Sequence, residues 1–263
     1  MNAMKSGGTV ESLPEISIVL ATLNEGRNIR EVVQRIERQK LPSYEIIVVD
    51  DGSTDGTREY VRERSTQDSR IRYLFHDGKQ TTLRAHGLGI DATRGRFVVV
   101  MDADLQHPPE TIPSLVHELE LGASVVVASR YAKGGSAGPR TLVRFAYSRG
   151  AEWIAKALLV PARQVRDPIS GYFGFRRTVW VPLNPQYRGY KILLFVLVMA
   201  EGQRTAEVGF GFEPRTEGTS KATQSLAFIR LFLIEVLLAR RLRRLLKTHP
   251  GGGASSFPRN SAE

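Results

Sequence analysis

The sequence predicts an α/β fold, a mostly parallel sheet flanked by helices, from three observations. Short segments rich in Val and Ile on both faces are typical of strands buried in a parallel sheet. Amphipathic segments with helical spacing separate these strands, and clusters of polar residues follow them directly. Five strands are predicted over the first half of the chain, at residues 16–22, 44–50, 71–77, 97–102 and 123–130.

The segments between these strands carry helix signals. After the first strand, Ile29, Val32, Val33 and Ile36 recur at helical spacing. The second strand leads into DGSTDGT, whose turn residues predict the start of a helix. A helix-like pattern occupies 81–93, and the prolines of HPPETIP open a further helix after the fourth strand. This alternation of strand and helix favours parallel pairing.

Beyond residue 140 the alternation is less regular. We predict a helix over 140–158, a short strand entered from the turn at 165–177, a helix over 190–201, a strand over 205–213 and a basic loop over 213–221. The expected organisation is a flexible N-terminus over 1–14, one large domain over 15–222, an amphipathic basic helix over 223–249 and a disordered tail over 250–263.

Composition limits the classes of protein to which the chain can belong. With 41% apolar and 24% charged residues among 263, it is typical of a globular protein. It has no cysteine, which excludes a disulfide framework and a thiolate metal site. The start, MNAMKSGGTVESLPE, has no apolar segment, so we expect no secretory signal. A net charge of +10 indicates an anionic partner, whether nucleic acid, nucleotide phosphates or an anionic membrane surface.

Polar clusters follow four of the predicted strands. They are Asn24 with Glu25, Asp50 with Asp51, Asp102 with Asp104, and Arg130. Because ligands bind beyond the carboxyl ends of strands in open α/β sheets, four such clusters predict one shared pocket. Neither G-x-G-x-x-G after the first strand nor G-x-x-x-x-G-K-[ST] occurs, which disfavours dinucleotide and P-loop sites.

The most informative cluster closes the fourth strand, in VVVMDADLQHPPE (98–110). Side chains two residues apart on a strand point to the same side, so Asp102 and Asp104 can present both carboxylates to one spot. Such an oxygen-rich site suits Mg²⁺ or Mn²⁺, and Gln106 can add a carbonyl oxygen. The alternative is a solvated turn, and His107 is interpreted as part of that turn. In the same way, the Asp pair of VVDDGS either bonds to a nucleotide or caps the next helix.

These motifs together resemble a known family. SIVLATLNEGRNI, YEIIVVDDGSTDGT, GRFVVVMDADLQHPPETIP, ASRYAKGG, RFAYSRGA, DPISGYFGFRR, YKIL and RTEGTSK are similar to segments of family 2 glycosyltransferases, and within them of dolichyl-phosphate or polyprenyl-phosphate mannose synthases. The resemblance extends from residue 16 to about 221 and implies a Rossmann-like sheet of the GT-A type. The implied activity is metal-dependent, inverting transfer of mannose from GDP-mannose to a dolichyl or polyprenyl phosphate.

The resemblance also implies roles for individual residues. A divalent cation, Mg²⁺ or Mn²⁺, would be held against the donor diphosphate by Asp102, Asp104 and Gln106. Residues implied in contacts with the nucleotide-sugar are Ala21, Leu23, Glu25, Val49, Asp51, Ala103, Arg215 and Lys221, the last two on a loop that closes over the donor. Residues implied at the acceptor phosphate are Arg130, Arg144 and Ser148. Of these, Asp102, Asp104 and Arg130 are the implied catalytic set.

Two departures from the family pattern affect these implications. The first strand usually ends in P-T-Y-N-E, whereas here Ala21 and Leu23 replace the proline and the tyrosine that line the base and ribose. The same chemistry with another donor, UDP-glucose or a UDP-amino sugar, therefore stays open. Phe195 follows YKIL where the family often places an acidic residue, and no role is assigned to it.

A lipid acceptor requires access to a bilayer. LAFIRLFLIEVLLA (226–239) is strongly apolar, but Arg230 and Glu235 interrupt it, and its length is below the roughly 20 residues that span a membrane. A basic cluster follows, containing Arg240, Arg241, Arg243, Arg244 and Lys247. This pattern predicts an interfacial helix on anionic lipid, the alternative being a helix packed on the main domain. We expect a peripheral protein at the cytoplasmic face of a membrane, with or without a separate anchoring subunit.

Two functions of other classes are the alternatives to this interpretation. The positive charge suits a nucleic-acid-binding protein, but carboxylates at the strand ends would repel a phosphate backbone and no nucleic-acid motif occurs. We therefore expect no nucleic-acid partner. A catalytically silent subunit that only binds nucleotide-sugar is disfavoured because the acidic pair, Gln106 and the arginines are all present.

Overall fold

Seven strands form one sheet in the computed structural model, which describes residues 13–76, 81–138, 142–213 and 226–248. The strands are β1 (Ile16–Thr22), β2 (Tyr44–Asp50), β3 (Ile71–Phe75), β4 (Phe97–Asp102), β5 (Val125–Ser129), β6 (Phe173–Arg176) and β7 (Thr205–Gly209). Their order across the sheet is β3-β2-β1-β4-β6-β5-β7. The predicted α/β class and all five predicted strands of the first half are confirmed.

The helices alternate with the strands over the first five strands, as predicted. They are α1 (Asn28–Arg38), α2 (Thr57–Gln67), α3 (Thr82–Asp91), α4 (Ile112–Glu120), α5 (Leu142–Leu158), α6 (Ile192–Met199) and α7 (Leu226–Thr248). Short 3₁₀ turns lie at Pro109–Thr111, Val160–Gln164 and Arg177–Val179. The first of these uses the prolines of HPPETIP before α4 begins.

The sheet is parallel except at β6. This strand of four residues pairs antiparallel with both β4 and β5, whereas every other pair in the sheet is parallel. Its amino end therefore lies at the same edge of the sheet as the carboxyl ends of its neighbours. The predicted strand over 205–213 is shorter, because β7 ends at Gly209 and the next residues pair with Ser136 instead.

The two faces of the sheet bury alternate residues of each strand. Ile18 and Leu20 of β1 pack with α1, α2 and α4 on one face, whereas Val19 belongs to the cluster that contains α3 residues on the other. That second cluster also includes buried residues of α5, α6 and α7. A sheet covered on both faces explains why its strands lack polar alternation.

The last described helix is part of this core. Phe232, Val236, Ala239 and Leu242 of α7 are buried in the cluster that contains α6. On the outer face, Leu237 is 56% exposed, and Leu233 and Ile234 are exposed to a smaller extent. Among the described residues, no helix has the length and apolar character needed to cross a bilayer. The two alternatives for this segment, packing on the domain and presenting an outer apolar face, thus concern different faces of one helix.

Candidate active site

A cavity of about 420 Å³ lies at the carboxyl ends of β1, β2, β4 and β5. Nine residues singled out in the sequence line it, namely Ala21, Leu23, Glu25, Asp51, Asp102, Ala103, Asp104, Gln106 and Arg130. They come together because parallel strands deliver their carboxyl ends to one edge of the sheet. The shared pocket predicted from the strand ends is therefore present.

The acidic turn after β4 has an unusual backbone. Asp102 ends the strand with its side chain 39% exposed towards the cavity, and Asp104 follows in the turn. Leu105 has a φ of 63°, a left-handed backbone conformation that residues other than glycine rarely adopt. This turn brings the backbone N–H of Gln106 to Asp104 Oδ1, at 3.1 Å. Backbone strain of this kind is typical of functional sites.

His107 holds the strand end in place instead of decorating the turn. It is buried, and its Nδ1 accepts the backbone N–H of Asp102 at 3.1 Å. Burial lowers the pKa of His107, although the neighbouring Asp102 opposes that shift, and the accepting Nδ1 is that of a neutral ring. The ring also packs against Tyr172, with 5.2 Å between centroids. The interpretation of His107 as part of a solvated turn is therefore wrong.

Gly171, in the segment before β6, lets the chain pass close to the acidic turn. A Cβ there would lie 3.0 Å from Asp102 Oδ2 and 3.1 Å from His107 Cε1. The DPISGYF motif thus supplies a residue without a side chain at the point where the antiparallel strand enters beside the carboxylate. This contact explains why the motif contains glycine at this position.

Gln106 connects the acidic turn to the start of the basic loop. Its Nε2 donates to the backbone oxygen of Glu213 at 3.3 Å, and the Glu213 N–H donates to the Gln106 backbone oxygen at 3.2 Å. Arg35 binds both Glu213 and Glu110 and so fixes the same position from α1. The amide nitrogen of Gln106 is thereby used by the protein, which directs its carbonyl oxygen to other partners. Arg215 and Lys221 lie outside the described residues.

Hydrogen bonds join the turns that follow β1 and β2 beside the cavity. The backbone N–H of Asn24 donates to Ser53 Oγ at 2.7 Å, and Asn24 Oδ1 accepts the Thr54 N–H at 2.9 Å. The Glu25 N–H donates to Thr57 Oγ1 at 3.1 Å. These bonds tie the end of β1 to the DGSTDGT turn after β2. The polar residues of both motifs therefore build one wall.

The two aspartates of VVDDGS have different environments. Asp50 is fully buried, accepts the N–H groups of Gly52 and Ser53, and pairs with Arg58 at 2.5 Å. Burial raises the pKa of Asp50, but the bonds from Ser53 and Arg58 outweigh it and hold the pKa below its usual value. Asp50 thus fixes the turn, while Asp51 lines the cavity.

Val49 does not line the cavity. Its side chain is buried in a small apolar cluster with Ile47 and Ala85, one residue before the strand ends. Its backbone oxygen accepts a bond from Thr22 Oγ1 at 3.4 Å. The alternation of side chains along β2 points Val49 into the packing with α3, so a side-chain contact with the donor is not supported here.

Arg130 is held rigidly at the end of β5. Its Nε and Nη2 each bind one oxygen of Asp167 at 2.7 Å, and the Asp167 side chain is fully buried. Burial lowers the pKa of Arg130, but the bonds to Asp167 outweigh it and keep that pKa above its usual value. The result is a permanently charged fork in a fixed orientation beside the cavity.

The other two residues implied at the acceptor phosphate belong to α5. Ser148 does not line the cavity, and its hydroxyl donates to Glu152 Oε1 at 3.4 Å. The side chain of Arg144 lies outside the described part of the chain. The structure therefore brings Arg130, but not Ser148, to the acidic turn.

The side-chain oxygens at the acidic turn are ligands suited to a hard divalent cation. Asp102 supplies an accessible carboxylate, Asp104 a second one, and Gln106 an amide oxygen whose nitrogen is already engaged. Over the ranges that the structure describes, no group of three or more His, Cys, Asp or Glu side chains is suited to hold a metal ion. Two carboxylates and one amide would leave the remaining positions of a cation to water and substrate oxygens.

Two ionisable residues of the cavity, His86 and Lys191, were given no role from the sequence. His86 of α3 is 2% exposed, and neither ring nitrogen has a hydrogen-bond partner among the described residues. Its Nε2 lies 3.8 Å from Asp102 Oδ1. Lys191 lines the cavity from the segment before α6. YKIL was a signal for Lys191, but a histidine inside a helical pattern gave no signal for His86.

Several proteins of known name are similar to this chain. The dolichol-phosphate mannosyltransferase of Pyrococcus furiosus is 35% identical over 237 residues, which cover 89% of this chain and 64% of that protein. The protein of the same name from Mycosarcoma maydis is 34% identical over 85% of this chain and 79% of its own length. The polyprenol monophosphomannose synthase of Mycolicibacterium smegmatis is 30% identical, with 82% and 84% covered.

A solved structure and a family profile complete the comparison. Glucosyl-3-phosphoglycerate synthase from Mycobacterium tuberculosis, in complex with Mn²⁺, UDP-glucose and phosphoglyceric acid, superposes with a TM-score of 0.62 at 22% identity. The superposed region covers 88% of this chain and 79% of that synthase. The likeness supports the GT-A type of fold. The profile of glycosyl transferase family 2 matches residues 17–180, which contain β1 from its second residue onward, β2 to β6 and the acidic turn. The chain belongs to glycosyl transferase family 2 and is a glycosyltransferase.

Proposed function

We propose that this enzyme transfers mannose from GDP-mannose to a dolichyl or polyprenyl phosphate, with Mg²⁺ or Mn²⁺ as cofactor. The observation that carries the proposal is the single cavity lined by two carboxylates, Gln106 and the fixed guanidinium of Arg130. The names of the relatives support the choice of sugar and acceptor, because three of them are dolichol-phosphate mannosyltransferases at 34–35% identity.

The reaction requires two anions to meet. An oxygen of the lipid phosphate attacks the anomeric carbon of mannose, and the bond from that carbon to the donor diphosphate breaks with its electron pair passing to GDP. Attack in line with the leaving group inverts the anomeric configuration. The attacking phosphate is already ionised near neutral pH, so the step requires no strong general base. The protein must instead stabilise negative charge on both reactants.

Residues of the chain provide this stabilisation from two sides. Asp102, Asp104 and Gln106 would hold a divalent cation, which when bound neutralises charge on the departing diphosphate. Arg130, oriented by Asp167, suits the acceptor phosphate because a planar guanidinium binds phosphate oxygens in pairs. His107 and the Asp102 N–H fix the position of the acidic turn.

Two residues of the cavity, Ala21 and Leu23, leave a second donor open. Ala21 and Leu23 line the cavity at the positions where the family pattern P-T-Y-N-E has proline and tyrosine, so a nucleotide would meet a different surface there. UDP-glucose or a UDP-amino sugar is the alternative donor for the same chemistry.

A panel of donors tests both alternatives. The enzyme is incubated with Mn²⁺, a short polyprenyl phosphate and labelled GDP-mannose, UDP-glucose or UDP-N-acetylglucosamine, and lipid-linked sugar is measured. We expect product from GDP-mannose, its loss on adding EDTA and its recovery with Mn²⁺ or Mg²⁺. Asp104→Asn should abolish turnover, whereas Asp68→Asn, a carboxylate paired with Arg70 away from the cavity, should not. Product from a UDP-sugar alone would replace the donor that we propose.

The outer face of α7 suits a membrane surface. Leu233, Ile234 and Leu237 are exposed on it, and Arg240 and Arg241 follow on the same helix. Exposed apolar residues beside basic ones are typical of helices that lie in the interface of anionic membranes. Under this proposal the enzyme is peripheral at the cytoplasmic face, where a lipid phosphate can enter the cavity.

Vesicle binding tests this surface without deleting α7, whose other face is part of the core. Leu237→Asp should reduce sedimentation with anionic vesicles. Leu121→Asp is the matched control, because Leu121 is similarly exposed, at 59%, but follows α4 on the other face of the sheet. Equal sedimentation of both variants and the unchanged enzyme would contradict the role of α7 and favour a separate anchoring subunit.

A further inference from the structure

Glu235 is a buried carboxylate on the inner face of α7. It is 0% exposed and lies between Phe232 and Val236, which belong to the apolar cluster shared with α6. In the sequence it interrupts an apolar run, which suggested only that the run does not cross a membrane. In the structure it has a specific set of partners.

Those partners belong to the segment that leads into α6. Oε1 of Glu235 accepts the backbone N–H of Tyr190 at 2.9 Å and also the backbone N–H of Lys191. Gly189 precedes them, and a Cβ at that position would lie 2.5 Å from both Cδ and Oε1 of Glu235. The segment 189–191 thus fits around this carboxylate, and only glycine leaves room for it. Glu235 also satisfies N–H groups at the start of α6 that have no partner within the helix.

The same segment forms part of the catalytic cavity. Tyr190 and Lys191 line it, and so does Phe228 of α7, whose ring stacks on Tyr190 with 5.3 Å between centroids. Lys191 thus shares this cavity with Asp102 and Arg130. Burial lowers the pKa of Lys191, Arg130 lowers it further, and Asp102 raises it. A phosphate group bound in the cavity would favour the charged ammonium of Lys191.

We infer that Lys191 binds a substrate phosphate and that Glu235 is the positioning residue that holds it there, so that the seating of α7 completes the active site. The inference rests on the proposed function, since it assigns Lys191 to one of the phosphates that meet in the reaction. It connects the helix whose outer face we propose for the membrane to the chemistry on its inner side. No step of sugar transfer itself involves Glu235.

Steady-state kinetics of two substitutions at Glu235 test the inference. Glu235→Leu preserves size and removes both acceptors, and we expect kcat/KM for the polyprenyl phosphate to fall about tenfold or more, the scale for loss of one charged contact. Glu235→Gln keeps an oxygen acceptor and should stay within about threefold of the unchanged enzyme. The control is Glu201→Gln, which removes another carboxylate between α6 and α7, paired with Arg243, and should leave kinetics unchanged.

A double substitution separates positioning from a general loss of structure. If Glu235 acts through Lys191, then Glu235→Leu combined with Lys191→Met should be no worse than Lys191→Met alone. Multiplied losses, or full activity of Glu235→Leu, would overturn the inference. Should Glu235→Leu not fold, Gly189→Ala perturbs the same contact from the opposite side and should give the same kinetic loss, with unchanged kinetics again overturning it.

Hydrogen exchange supplies a measurement independent of sugar transfer. The amides of Tyr190 and Lys191 should exchange faster in Glu235→Leu and remain protected in Glu235→Gln. If the unchanged enzyme transferred no mannose, the proposed function would fail while this measurement still decided whether Glu235 holds the segment. Equal protection in all variants would refute the positioning role.

Discussion

The burial of Glu235 predicts a specific dependence of stability on pH. Burial raises the pKa of Glu235 from an ordinary value of 4.5 to about 7, opposed only in part by the N–H groups of Lys191 and Tyr190. One oxygen, Oε2, is buried and has no hydrogen-bond partner within the described residues, so a negative charge on it is poorly stabilised. The folded chain therefore holds this proton more tightly than the unfolded chain does.

The sign and size of the effect follow from that difference. The proton bound to Glu235 stabilises the folded chain. This stabilisation is fully present below pH 4.5, the unfolded pKa, and is lost as the pH rises through about 7, the folded pKa. A rise in pKa of this size corresponds to about 3 kcal/mol in the free energy of unfolding. Gln at position 235 does not ionise, so Glu235→Gln should lack this loss.

Urea denaturation at pH 5, 6, 7 and 8 measures the effect. The free energy of unfolding of Glu235→Gln minus that of the unchanged enzyme should rise with pH, by up to about 3 kcal/mol across the range. Glu201→Gln is the control, because the bond from Arg243 lowers the pKa of Glu201 below 4.5. Glu201 is therefore charged throughout this range, and the difference for Glu201→Gln should not change with pH. A difference for Glu235→Gln that does not change with pH would refute the assignment of a buried, titrating carboxyl group.

Two further substitutions probe the site itself. Arg130→Lys should lower kcat/KM for the lipid acceptor about tenfold or more, because an ammonium cannot bind Asp167 through two parallel bonds and also present an oriented fork to phosphate; unchanged acceptor kinetics would contradict this. Gly171→Ala should weaken Mn²⁺ binding about tenfold in calorimetric titration, because its Cβ would press on Asp102 Oδ2 from 3.0 Å. Gly150→Ala, where a Cβ meets no atom within 4 Å, is the control, and equal affinities of the two variants would refute the reasoning.

Local patterns were sufficient to predict the strands and the position of the pocket. Buried parallel strands are recognisable as apolar runs, and the polar residues that follow them must meet where the carboxyl ends meet. Leu23, Asp51, Asp102 and Arg130 come from four different strand ends and line one cavity for that reason. Their convergence required no knowledge of which strand lies beside which.

Contacts between distant segments were not predictable in the same way. The direction of β6 and its place between β4 and β5 depend on pairing across more than 40 residues, and its four residues carry no signal of direction. His107 is buried because Tyr172, Phe210 and Phe212 surround it, although its own sequence context is that of a turn. Val49 faces α3 instead of the cavity because the register of β2 sets its side.

The sequence by itself determined the fold class, the edge of the sheet at which chemistry takes place and the acidic turn, because each depends on residues that are neighbours along the chain. Tertiary structure alone decided that Lys191 reaches this cavity and that Glu235 stands behind it. A charged residue within an apolar run gives the same sequence pattern whether its side chain faces solvent or binds the N–H groups before another helix. Only the packing of α7 on α6 gives that carboxylate its two N–H partners and its raised pKa.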